Sequence, residues 1–245
     1  MGILRFLDTA APLPDRDDLS VPMPDSPPNP LAEDIARAKS PEDFHGGLRR
    51  ALAGFDELGA RIVVDAAVKL ACCEGCSLCC WLRVDVHAHE VFLIAQHVRA
   101  RFTEAERAAL IARLAVHSTK VLPLTPYEHV TQNIACPLLQ DGRCSIYAVR
   151  PHSCRRHHSL DFAACQFTYD HPTDMEAPAA HDRDLFKTLT EAMLEAAGTY
   201  ARLGYDDTIY ELGTALAEAL DTPSSWRRWR DGKKAFLRAS VTPAA

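Results

Sequence analysis

Four cysteines fall within eight residues, in the run Cys73-Glu-Gly-Cys76-Ser-Leu-Cys79-Cys80. Two residues between successive thiols let a turn aim both sulfurs at one ion, and Gly75 permits the bend. Adjacent cysteines point apart, so Cys79 and Cys80 predict one sulfur that reaches a second ion or bridges. A mononuclear zinc site takes four ligands and a cubane iron–sulfur cluster four thiolates, a shell this short stretch has trouble closing alone. Cys136, Cys144, Cys154 and Cys165 can complete it, which gives two four-thiolate sites or one site with spare thiols. Cys72 is the weakest candidate.

The bland readings of such a run are buried free thiols or disulfides. Nine cysteines in a chain whose first apolar run stops at Asp8, with no basic leader, point to a reducing compartment and so to metal or redox chemistry. A thioredoxin-like pair would stand between a strand and a helix, a setting not apparent here. Phe6 stands where an N-myristoylation motif wants Ser or Thr, and no stretch nears the ~18 apolar residues of a membrane span. The expectation is a soluble, cytoplasmic protein. A net charge of -6 and a pI near 6.0 argue against a general nucleic-acid binder.

The positioning elements read as helices. Residues 1–30 hold seven of the sixteen prolines and five aspartates, which predicts a disordered tail. Ser40-Pro41-Glu42-Asp43 is a helix start, expected to run to about Leu70 with its glycines threatening a break. Helical spacing returns over residues 88–102. A capping box at Thr103 and Glu106 opens another helix to about His117, followed by a proline-marked loop over residues 121–126. Periodicity disappears over residues 134–161, where Asp141-Gly142 marks a tight turn. From His181 onward Leu185, Leu189 and Met193, then Leu212, Leu216 and Leu220, line helical faces. The prediction is a mostly α chain: one helical domain over residues 31–245, with helices around an irregular cysteine-rich metal-binding centre at about residues 70–168.

Near the cysteines, Arg150, Arg155 and Arg156 are suited to offset a thiolate-rich centre, which carries about -2 by formal counting, or to pair with carboxylates. His152, His157, His158, His87 and His89 are weaker nitrogen candidates, and Glu90 reads most simply as a first-turn acid. Ser225 to Phe236 mixes Trp226 and Trp229 with five basic residues. Nucleic acid, an anionic membrane or an acidic partner would fit it, but a docked terminal helix is the favoured reading.

Two separated motifs resemble the YkgJ-type cysteine-cluster family, whose domains are described as zinc- or iron-chelating. The first is the CxxCxxCC run with Glu90 on the following helix. The second is Cys136-Pro-Leu-Leu, then Cys144-Ser-Ile146-Tyr147-Ala-Val-Arg150-Pro151-His-Ser-Cys154-Arg155. The resemblance covers roughly residues 70–168 and implies chelation of zinc or iron, as a mononuclear ion or an iron–sulfur cluster. Some related proteins, the flagellin lysine methylases, look like enzymes built on a similar cluster. The resemblance thus leaves open a metal-binding protein, an iron–sulfur or iron-dependent enzyme such as a methylase-like transferase, and a zinc-stabilised interaction module. It assigns no catalytic residue.

Overall fold

The computed structural model describes residues 38–176, 180–222 and 224–243, so the tail expected at residues 1–30 lies outside them. The described chain is mostly helical with little sheet. Ser40 caps helix α1 (Pro41–Asp65) by accepting from the Asp43 amide, and Pro41 fills the first helical position. The helix is unbroken despite its glycines, and it ends five residues before Leu70, where Ala67 turns to a φ of 52°.

Phe44, Leu48, Leu52 and Phe55 form the buried stripe of α1. Helix α2 (Ala88–Arg101) is buried on nearly every side from Val91 to Ala95, as suits a central helix. Helix α3 (Glu104–Val121) opens on the expected Thr103–Glu106 capping box and runs past His117, burying Leu110, Leu114 and Val121. Part of the expected loop over residues 121–126 instead starts a short helix α4 (Pro126–Val130), with Thr125 and Glu128 forming a second capping box.

The irregular stretch contains a hairpin of β2 (Leu139–Gln140) and β3 (Arg143–Cys144). Asp141 and Gly142 take positive φ at its turn, which matches the right-handed twist of the strands. Short helices α5 (His152–Arg156) and α6 (Phe162–Asp170) follow, then the long α7 (Arg183–Arg202).

A second two-stranded ribbon pairs β1 (Asp85–His87) antiparallel with β4 (Ile209–Glu211), joining chain segments remote in sequence. β1 leads directly into α2 and β4 into α8 (Leu212–Asp221), so the ribbon sets these helix starts side by side. Helix α8 then packs on α2 and α3.

The terminal helix α9 (Ser225–Arg230) is docked, as expected, through Trp229, which is fully buried. Its indole donates to the Asp206 carbonyl at 3.0 Å and meets the rings of Phe44, Phe92 and Tyr200. Among the described residues no helix is long and apolar enough to cross a membrane.

His45, beside Phe44, is 6% exposed and neither ring nitrogen has a hydrogen-bond partner among the described residues. Burial, reinforced by Arg49, lowers its pKa from 6.5 to about 4. The unfolded chain therefore takes up a proton below pH 6.5 that the folded chain refuses until about pH 4. This contribution to stability is complete above pH 6.5 and is lost as the pH falls toward 4. Urea denaturation should find about 2 kcal/mol less stability at pH 5 than at pH 7.5 from this residue. In His45→Leu that part of the acid limb should disappear.

Candidate metal centre

The cysteine run is a folded-back loop between α1 and β1. Gly75 has φ 84°, and the Cys76 amide donates to the Cys73 carbonyl at 3.1 Å, closing the first two-residue turn. Residues Leu78–Trp81 then wind into a 3₁₀ turn, with the Cys80 amide on the Ser77 carbonyl at 2.9 Å. Trp81 packs edge-on against Tyr169 of α6 at 5.5 Å, and the Ala71 amide donates to the Ser159 carbonyl. The Cys80 carbonyl accepts from the Cys136 amide at 2.8 Å, which splices the run to the second cysteine motif. Cys144 sits opposite Leu139 in the hairpin, and Cys154 lies in α5.

A cavity of about 560 Å³ opens among these pieces. Cys73, Cys76, Cys79, Cys80, Cys136, Cys144 and Cys154 all line it. Cys165 of α6 lies instead on a neighbouring cavity of about 250 Å³, whose wall shares Cys79 and His157 with the first. Cys72 lines neither cavity. All nine cysteines are free, and none forms a disulfide.

Burial pushes the Cys136 thiol far up and Cys154 up to about 12, with the other cysteines adding to the effect. Cys79 is driven up mainly by its hydrogen bond with Cys80, then by burial. The thiolates thus oppose one another in an apolar hollow, and a cation among them reverses that balance.

Arg83, Arg143 and Arg150 also line the cavity. Arg150 lies 4.1 Å over the Tyr147 ring, its buried Nε has no hydrogen-bond partner, and among the described residues no carboxylate pairs with it. Arg155 bonds the Arg150 and Ala148 carbonyls and pairs with Asp56 of α1, while Arg156 reaches Thr190 and lies over Phe186. These two tie the loop to the helices. Arg83 was not legible as a site residue. Its side chain is 2% exposed, bonded to Asp85 at 2.9 Å and to Thr242 at 3.1 Å.

Glu90 does more than a first-turn acid. One oxygen accepts from the His87 amide at 3.0 Å, and the other takes both the backbone amide and Nδ1 of His152, at 2.8 and 3.0 Å. Burial alone would raise this carboxyl, but the His152 hydrogen bond and the neighbouring histidines outweigh it and hold Glu90 well below the usual range. Glu90 therefore pins the start of α5 to the start of α2 and so places Cys154. His89 stacks on Tyr200 at 4.0 Å, His157 lines the cavity, and His158 accepts from the Asp182 amide.

Compared with known protein families, residues 72–177 match the one described as "CxxCxxCC: Putative zinc- or iron-chelating domain". The matched span contains every candidate cysteine and leaves out α1, α7, α8 and α9. No curated protein and no solved structure matches the chain.

Proposed function

We propose that the chelating domain at residues 72–177 binds zinc or iron in the larger cavity. Cys73, Cys76, Cys79, Cys80, Cys136, Cys144 and Cys154 form the ligand pool, and Cys165 stands as an outlying eighth thiol. The observation that supports this most is one cavity lined by seven free thiols drawn from the loop, the hairpin and α5. The donor set fits, because thiolates are the ligands of structural zinc and of iron–sulfur clusters. Seven thiols exceed one four-ligand shell, which favours a cluster, a bridged pair of ions or a spare set.

A second reading, an iron–sulfur or iron-dependent enzyme, is favoured by the cavity's size. About 560 Å³ lies within the range of small-molecule sites, ~300–1,000 Å³, and leaves room beside an ion. Arg143 and Arg150 would present cationic groups to an anionic substrate there. We also propose that residues 31–245 work as one domain in the cytoplasm, where thiols stay reduced.

Protein prepared without air and analysed for metal and absorption tests the reading. Stoichiometric iron with visible charge-transfer absorption supports the cluster and the enzyme; colourless protein with stoichiometric zinc supports a structural or delivery role. Protein that carries neither metal, and takes up neither when reconstituted, overturns the proposal.

A further inference from the structure

A second group of potential ligands lines neither cavity. His117 comes from α3, His129 from α4, and Glu211 from the β4–α8 junction, outside the family match. We infer that these three side chains form a separate histidine–carboxylate site for a divalent first-row metal ion. Two imidazoles with one carboxylate suit iron(II) or zinc and leave coordination positions open.

All three are buried, at 5%, 1% and 2% exposure, and their candidate ligand atoms lie within 4.8 Å of one another. His117 Nε2 and Glu211 Oε1 are hydrogen-bonded to each other at 3.0 Å, a contact that a bound ion would replace. Two atoms bound at about 2.0–2.1 Å to one ion lie about 3 Å from each other, so this pair already has a suitable spacing.

The surroundings hold the donors in place. Glu211 accepts from the Gly213 and Thr214 amides at 2.9 and 2.7 Å, and a ligating carboxylate is ordinarily anchored in this way. A Cβ at position 213 would lie 2.4 Å from His117 Cδ2 and 2.6 Å from Nε2, so glycine is what lets the imidazole approach α8. Arg83 comes within 3.5 Å of His129 Nδ1, too far to fix the ring's tautomer, and its charge is engaged by Asp85. A neutral imidazole and an ionised carboxylate are the forms that bind metal.

Among the described residues a second buried cluster of this composition, His89, Glu90 and His152, differs. The Glu90 oxygens tie two separate elements, α2 and α5, and His89 is stacked on Tyr200, whereas the two amides on Glu211 both belong to the first turn of α8. That cluster reads as a structural tie.

The test loads the metal-free full chain with cobalt(II) alone. Parent protein should bind cobalt of two kinds, one with a sulfur-to-metal charge-transfer band and one without. His129→Ala should lose one equivalent while the sulfur band keeps its intensity. Equal cobalt in parent and variant overturns the second site. A missing sulfur band with that equivalent retained overturns only the cysteine reading. Should His129→Ala fail to fold, the parent's cobalt-shifted proton spectrum decides: exchangeable imidazole N–H signals support the site, and their absence overturns it.

Discussion

Cys154→Ser is expected to lower the affinity of the cysteine centre for its ion by at least ~100-fold. Loss of a supporting group around a metal typically costs 10–100-fold, and loss of a ligand costs more. Cys154 lies in α5, remote in sequence from the Cys73–Cys80 loop, yet lines the same cavity. A serine hydroxyl keeps its proton near neutral pH and is a harder donor than a thiolate, so it does not replace the ligand. Because the ion binds the folded chain, a 100-fold loss of affinity removes about 2.7 kcal/mol of apparent stability at high occupancy. Competition with a chromophoric chelator and thermal unfolding with and without metal read the two effects. Cys72→Ser, at an exposed position on neither cavity, should leave both nearly unchanged. Equal losses in the two variants would contradict the assignment.

Glu90→Ala should destabilise the protein by about 3–5 kcal/mol, because it leaves three donors without their acceptor at ~1–3 kcal/mol each. The substitution strands the His87 and His152 amides and the His152 imidazole, all buried or half-buried, without their acceptor. It also frees the start of α5, so metal affinity should fall by about 10–100-fold although Glu90 lines neither cavity. Glu90→Gln keeps an acceptor oxygen and should cost less on both counts. Urea midpoints and metal competition measure the pair. Full stability in Glu90→Ala would show that the carboxylate does not tie the two helices.

Helix starts were the most legible features of the sequence, because a cap is a local pattern. Ser40 with Pro41, and Thr103 with Glu106, open helices where their spacing predicts. Thr125-Pro126 with Glu128 repeats that pattern, but its helix is one turn long and periodicity has nothing to count there. Helix ends were less legible: α1 stops at Asp65 and α3 continues to Val121, positions set by packing. The Asp141-Gly142 turn was readable from its residue types, whereas the β1–β4 ribbon was not, since its partners are remote and each strand is three residues long.

The cysteine motifs were readable because their spacing is local, and the fold adds that seven of the thiols share a wall while Cys165 faces the adjoining hollow. Glu90 carried only a first-turn signal; its bond to His152, 62 positions away, needed the fold. His117 and Glu211, 94 positions apart, carried none. Arg83, three residues beyond Cys80, carries no local signal, and its burial against Asp85 and Thr242 follows from the fold.

X-ray absorption at the edge of whichever metal the air-free protein carries tests the thiolate assignment most directly. The account predicts sulfur neighbours at about 2.3 Å if the ion is zinc, and sulfur-dominated scattering if it is iron, depleted in Cys154→Ser. A spectrum fitted by nitrogen and oxygen alone, unchanged in that variant, would contradict it.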